Sequence, residues 1–69
     1  MPQQKRSLSL AGHRTSVSLE PEFWAVFETA AREEGRSLAG VIAEIDAARG
    51  ADPLASSLRV WALKRVQAG

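Results

Sequence analysis

Hydrophobic and polar residues alternate over residues 13–19. From there towards the end of the chain, the hydrophobic residues recur at helical spacing. The alternation predicts a short strand with two unlike faces. The face expected to pack against helices comprises Thr15, Val17 and Leu19. The polar face comprises Arg14, Ser16 and Ser18. Hydroxyls and a guanidinium suit base edges and phosphates, although any half-buried antiparallel strand has a polar face.

Three segments with helical spacing follow the strand, over residues 21–34, about 38–49 and about 53–67. Pro21 suits the first position of the first helix, and Gly35 suits the left-handed cap that ends it. A serine N-cap precedes the second helix, and an Asp-Pro pair marks the start of the third. The apolar positions of these segments are Phe23, Trp24, Phe27, Ala30, Ala31, Leu38, Val41, Ile42, Ile45, Leu54, Leu58, Trp61, Ala62 and Val66.

A near-repeat precedes the strand. Residues 6–10, Arg-Ser-Leu-Ser-Leu, are echoed by residues 15–19, Thr-Ser-Val-Ser-Leu, with Ala11 and Gly12 between the two runs. Either the runs fold back as a hairpin within one chain, or the first is an arm and only the second enters a ribbon. Because Ala-Gly is a poorer hairpin turn than Asn-Gly or Asp-Gly, we favour the arm.

A chain of 69 residues allows one domain with a small core. A lone short strand leaves its edges unpaired, so we expect it to pair with its copy in a second subunit. The predicted fold is mainly α: a homodimer with one N-terminal strand pairing across the two-fold axis, two core helices and a third C-terminal helix. The expected divisions are a basic arm (1–12), a core (13–50) and a helical extension (51–69). The expected dimer core is Val17, Leu19, Trp24, Phe27, Val41, Ile42 and Ile45.

The net charge of +1 hides a segregation along the chain. Residues 1–19 carry +3 with no acid, residues 20–53 carry −5 and hold all eight acidic residues, and residues 54–69 carry +3. A basic first segment on an acidic helical body is typical of a protein that presents one face to phosphates. Chance clustering on a solvated arm would give the same balance.

The composition argues against several kinds of chemistry. The chain has no cysteine, and its lone His13 lacks the second ligand that a metal site needs, which favours a turn or phosphate contact for this residue. Glu44 and Asp46 lie two residues apart and cannot share a helix face, which argues against a paired-carboxylate site. There is no glycine-rich phosphate loop. We therefore expect no enzyme and no cofactor.

No apolar run approaches the roughly 20 residues of a membrane span, and the N-terminus lacks the apolar segment of a secretory signal. The sequence thus favours a cytoplasmic protein that does not enter a membrane.

The order of strand, proline start and two helices resembles the ribbon-helix-helix family, the MetJ/Arc type of dimeric DNA-binding protein. The resemblance covers residues 13–49. It is carried by residues 14–19, 20–24, Ala30-Ala31 and the Gly-Arg-Ser turn of residues 35–37. A bacterial subgroup of that family with a C-terminal helical extension is similar at residues 5–7, 12–16, 19–21, 23–24, 43–46 and 57–60.

This resemblance implies a homodimeric transcriptional regulator that binds double-stranded DNA. The strand residues that enter the major groove and read bases would be Arg14, Ser16 and Ser18. A backbone phosphate would be held at the second helix by Arg36, Ser37 and the amides of Leu38 and Ala39. The remaining candidate DNA contacts are Lys5, Arg6 and His13.

One alternative comes from another class of protein. The chain could be a dimeric protein–protein interaction module that keeps the ribbon only for dimerisation. The third helix, with Arg59, Lys64 and Arg65, would then offer a surface to a protein partner. That helix could instead cap the dimer core or make contacts between dimers on DNA. The acidic body favours the interaction module, whereas the acid-free first segment favours DNA.

Overall fold

The computed structural model describes residues 2–69, so Met1, the first residue of the expected arm, lies outside the described residues. Two strands come first, β1 (Gln4–Leu10) and β2 (His13–Leu19). Three helices follow, α1 (Pro21–Glu34), α2 (Leu38–Ala48) and α3 (Leu54–Ala68). The predicted mainly helical fold, with a ribbon, two core helices and a third C-terminal helix, is confirmed.

The strands β1 and β2 form an antiparallel hairpin within one chain. Gln4 pairs with Leu19 at the open end, and Leu10 pairs with His13 beside the turn. The layout that we favoured is therefore wrong. Residues 4–10 form a strand rather than an arm, and this strand pairs with one edge of β2.

The Ala-Gly turn closes because both of its residues adopt a positive φ. Ala11 has φ 51° and Gly12 has φ 83°, as in the primed turns that match the twist of a hairpin. The left-handed conformation costs alanine about 1–2 kcal/mol. Leu10, Val17 and Leu19 are each at most 4% exposed, and burying such a side chain stabilises the fold by about 1.5–3 kcal/mol. Packing of the two strands thus outweighs the strain in the turn.

Local signals end α1 and begin α2 where the sequence predicts. Gly35 has φ 63°, and the N–H of Arg36 donates to the carbonyl of Ala31 at 2.9 Å. Ser37 is the N-cap of α2, because its Oγ accepts a hydrogen bond from the N–H of Gly40 at 2.9 Å. The Gly35 cap and the Ser37 N-cap together fix the turn between the two helices.

One hydrophobic core lies between the hairpin and the three helices. The residues expected in the dimer core are all buried within this single chain, at 0–9% exposure: Val17, Leu19, Trp24, Phe27, Val41, Ile42 and Ile45. The strand β1 and the helix α3 add Leu10, Leu58 and Ala62. The predicted apolar stripe of α3 is corrected at Val66, which is 61% exposed.

Two aromatic contacts join the layers. Trp24 is buried, and its Nε1–H donates to the carbonyl of Gln4 at 2.9 Å, which attaches β1 to α1. Phe27 stacks on Trp61 with ring centroids 5.1 Å apart and an interplanar angle of 15°, which attaches α1 to α3. Both tryptophans therefore serve packing, as the sequence predicts.

Candidate nucleic-acid interface

The hairpin has an outward face, defined here as its six side chains on the side away from the core. The three cross-strand pairs on this face are Lys5–Ser18, Ser7–Ser16 and Ser9–Arg14. Ser18 is half-buried and the other five residues are exposed. Every side chain of the face is a hydroxyl or a cation, and no acidic residue occurs in residues 1–19. The predicted polar face of β2 is thus confirmed as a surface.

The cations of this face differ from most others in the chain. Five arginines form ion pairs with carboxylates within 4.0 Å: Arg6, Arg36, Arg49, Arg59 and Arg65. Among residues 2–69, the cations without such a pair are Lys5, Arg14, Arg32 and Lys64. Lys5 and Arg14 both lie on the outward face, so this face carries two cations that are free to accept an anion.

Arg6 lies on the opposite face of the hairpin from Arg14. It pairs with Val17, and its guanidinium stands 4.6 Å from the centroid of the Trp24 ring. Its Nη1 also lies 3.1 Å from a carboxylate oxygen of Glu28. The structure therefore separates Arg6 from the other candidate DNA contacts of the hairpin, and gives it a role in holding β1 on α1.

His13 is exposed at the first position of β2, beside the turn and opposite Leu10. Because odd-numbered β2 positions such as Val17 face the core, His13 belongs to the inward register, although its own side chain is exposed. It lies at the rim of the outward face rather than on it.

The expected phosphate clamp at the start of α2 is occupied by contacts within the chain. The guanidinium of Arg36 binds the carboxylates of Glu34 and Glu44 and donates to the carbonyl of Gly40 at 3.0 Å. The hydrogen bond to Glu44 raises the pKa of Arg36. The Oγ of Ser37 is engaged as the N-cap. A phosphate at this helix end would have to replace some of these partners.

Ion pairs of α3 add a polar rim around the helices. Arg59 donates to Glu20 at 3.0 Å and 3.4 Å, and this hydrogen bonding lowers the pKa of the Glu20 carboxyl. Arg65 binds Glu33 and Glu34, and its hydrogen bond lowers the pKa of Glu34. Two of the three residues expected to offer α3 to a partner, Arg59 and Arg65, are thus bound to α1 or its N-cap.

Half of the outward face comes from β1, and alternation in β2 alone does not predict it. Ser7 and Ser9 come from β1 and stand beside Ser16 and Arg14. The near-repeat of residues 6–10 and 15–19 is the signal that places them, because equal spacing in two paired strands puts equivalent side chains on the same face.

The match to a known domain covers nearly the whole chain. A sequence model described as a ribbon-helix-helix domain matches residues 3–66, a range that begins before β1 and ends within α3. The chain belongs to the ribbon-helix-helix family. No curated protein and no solved structure matches it significantly.

Ribbon-helix-helix proteins typically bind DNA as dimers and are generally not enzymes. Within residues 2–69, no three histidine, cysteine or acidic side chains come together as metal ligands. No helix in the described part of this ribbon-helix-helix chain has both the length and the apolar character needed to cross a membrane.

Proposed function

We propose that this ribbon-helix-helix protein binds double-stranded DNA through the outward face and acts as a small transcriptional regulator. The observation that carries the proposal is the pairing of two free cations, Lys5 and Arg14, with hydroxyl side chains on an acid-free two-stranded ribbon. The major groove is about 12 Å wide and admits a two-stranded ribbon.

The electrostatic argument favours this face over the helical surface. A guanidinium that is already bound to carboxylates must give up those partners before it binds a phosphate, whereas Arg14 has no such partner to lose. Arg14 can bind a guanine edge through two parallel hydrogen bonds, and the serines can donate to or accept from several bases. We therefore propose that Arg14 provides most of the sequence preference. The small serine side chains allow the backbone of the ribbon to lie close to the DNA.

The start of α2 is proposed as a second, weaker contact with the DNA backbone. The N–H groups of its first turn have no partner within the helix, which makes this end suitable for a phosphate. Because Arg36 is bound to Glu34 and Glu44, we expect this contact to add general affinity rather than sequence preference.

Fluorescence-anisotropy titration of labelled genomic duplexes at two salt concentrations tests the proposal. We expect tight binding that weakens with salt. Arg14→Ala should leave the thermal transition unchanged and should weaken binding by about 5- to 150-fold, equivalent to about 1–3 kcal/mol for a lost bidentate contact. The matched control is Arg32→Ala, which removes another exposed, unpaired arginine from α1.

Equal losses for Arg14→Ala and Arg32→Ala would mean that only net charge matters, and would contradict the proposal. Binding that neither Arg14→Ala nor Lys5→Ala alters would favour the alternative function, an interaction module in which the ribbon serves the fold alone.

We also propose that the regulator is a homodimer formed through α3. Among residues 2–69, the exposed large apolar side chains are Val60, Leu63 and Val66, at 50%, 55% and 61% exposure. Their spacing places them along one side of α3, where two antiparallel copies would cover the same stripe on each other. A second copy is the partner we infer because ribbon-helix-helix proteins usually dimerise and the residues expected in a dimer core are already buried within one chain.

Sedimentation equilibrium of the full chain tests this dimer. Leu63→Glu should convert dimer to monomer without loss of helical circular dichroism, because the side chain is outside the core. Thr29→Glu makes the same change of charge at an exposed position of α1 and should leave the dimer intact. A monomeric wild-type protein at micromolar concentration would overturn this part of the proposal.

A further inference from the structure

The outward face has an approximate two-fold symmetry within one chain. The cross-strand register has Ser7 opposite Ser16 at its centre. A two-fold axis through this pair exchanges Lys5 with Arg14 and Ser9 with Ser18, so each strand presents a cation, a serine and a serine in the same order. The near-repeat in the sequence is the origin of this symmetry.

The same two-fold axis relates the inward side chains of the two strands. It exchanges Leu8 with Val17 and Leu10 with Leu19, so an aliphatic side chain is replaced by an aliphatic one at each position. Arg6 exchanges with Thr15 and Gln4 with His13, and these are the two inward pairs whose side chains are polar but unlike. The two strands thus have the same pattern on both faces.

The helices beneath the strands follow part of the same two-fold symmetry. The helix α2 packs against β1, α3 packs against β2, and α1 contacts both helices. Ile42 of α2 and Leu58 of α3 are both fully buried, and each lies four residues after the leucine of the Leu-Ala pair that begins its helix. In this chain α3 stands beneath one strand as α2 stands beneath the other.

We infer that one chain supplies the complete, quasi-symmetric ribbon for one major groove, so that DNA is read by a strand pair made in cis rather than by strands shared between two subunits. This inference rests on the proposed function for its DNA partner. The closed core supports it, since Val17, Leu19 and Phe27 are each at most 4% exposed beneath the hairpin and helices of their own chain.

The spacing of the two outward cations determines the length and symmetry of the DNA site that a cis ribbon would bind. Lys5 and Arg14 are four residues apart along the ribbon axis, or about 14 Å at about 3.4 Å per residue, which corresponds to about four base steps. The two cations lie at opposite ends of the face, on different strands. One chain should therefore contact the two halves of a short, imperfect inverted repeat, with Arg14 on one half and Lys5 on the other.

Engineered cysteines test the cis ribbon without DNA. The chain has no cysteine, so Leu8→Cys combined with Thr15→Cys gives a single possible disulfide within each hairpin, between residues that are directly opposite in the inward register. Neither residue belongs to the outward face. Oxidation of the double variant should give a disulfide-bonded single chain on a non-reducing gel.

The control is a mixture of the two single variants, unfolded and refolded together. A hairpin exchanged between subunits would bring Leu8→Cys of one chain against Thr15→Cys of the other and give a covalent heterodimer. A ribbon made from two copies of β2 would separate these positions and leave the double variant without its intrachain disulfide. We expect no covalent heterodimer above the level obtained by mixing the folded proteins. An abundant covalent heterodimer would overturn the inference, whatever the protein binds.

Salt-dependent DNA titration is the second readout. For a cis ribbon, Lys5→Ala should lower the salt slope by about one per bound chain, through a lost phosphate contact, and Arg14→Ala should remove one base contact per ribbon. For a ribbon made from two copies of β2, Arg14→Ala would remove two contacts for each ribbon and Lys5→Ala none, which would contradict the inference. Absence of DNA binding in the wild type would overturn the proposed function, while the disulfide result would still decide between a cis and a shared ribbon.

Discussion

The two faces of the hairpin are made from the same two strands but carry opposite kinds of interaction. Inward side chains such as Val17 and Leu19 are buried in the core, and the inward Arg6 is held over an aromatic ring and against a carboxylate. Outward cations, Lys5 and Arg14, have no carboxylate within 4.0 Å among the described residues. The register of the strands thus divides basic residues into one that stabilises the fold and two that are available to a partner.

Net charge is therefore a poor guide to the interface of such a small protein. The chain carries nine Lys and Arg residues, yet most of its arginines are neutralised by carboxylates of the helices. Folding stability and DNA affinity should therefore depend on different hairpin positions, according to the face on which each residue lies. Variants can test that separation directly.

The largest expected effect is on the inward side. Phe27→Ala should lower the free energy of unfolding by about 3–5 kcal/mol, because it removes a fully buried ring and its stacking on Trp61. Urea denaturation measures this loss. Ser16→Ala on the outward face should change the free energy of unfolding by less than about 0.5 kcal/mol. Similar losses for both variants would show that the assignment of faces is wrong.

The turn that closes the hairpin should give the next largest effect. Ala11→Asn should stabilise the protein by about 1 kcal/mol, because asparagine tolerates the left-handed conformation that alanine adopts at φ 51°. Ala11→Val should destabilise it, because a β-branched residue is more strained there. Thermal denaturation of the two variants checks the sign. A loss of stability for Ala11→Asn would indicate that the turn does not form in solution.

Arg6 on the inward face and Arg14 on the outward face test the difference between the two faces most closely. Arg6→Ala should lower the free energy of unfolding by about 1 kcal/mol, through loss of the cation–π contact with Trp24 and the partly exposed ion pair with Glu28. Arg14→Ala should leave it nearly unchanged and weaken DNA binding instead. Chemical denaturation and DNA titration of both variants, made under one buffer condition, should give opposite rankings.

The smallest effect concerns pH. Because Arg59 lowers the pKa of Glu20, the ionised carboxyl stabilises the fold at neutral pH, and this contribution is lost as pH falls below about 4.5 and through the lowered pKa. Glu20→Gln should therefore lose less stability than the wild type between about pH 7 and about pH 3. Glu22→Gln, at an exposed position with no ion pair among the described residues, should follow the wild type.

Short-range pattern was sufficient to predict much of the fold. The alternation of β2, the helical spacing of three segments, and the caps at Gly35 and Ser37 all depend on residues a few positions apart. The hairpin could not be predicted in the same way. Its local signal, Ala-Gly, is unfavourable, and the interactions that outweigh it are long-range: burial of Leu10 in the core and the hydrogen bond from Trp24 to the carbonyl of Gln4.

The candidate site was predictable to the same extent. Alternation placed Arg14 on the exposed face of β2, since a strand has a fixed period of two. The same reasoning could not foresee that Arg36 would bind Glu44, eight residues away, or that Arg6 would lie over Trp24. Those contacts depend on how the helices pack, which the spacing of apolar residues does not specify.

The central claim is that the outward face of the hairpin is the surface that meets DNA. The most direct measurement is a titration of ¹⁵N-labelled protein with a short duplex at low salt, followed by amide chemical-shift changes. We expect the largest changes along β1 and β2, centred on Ser7 and Ser16, with little change at Val60 and Leu63 of α3. Changes confined to α3, with the hairpin signals unmoved, would contradict it.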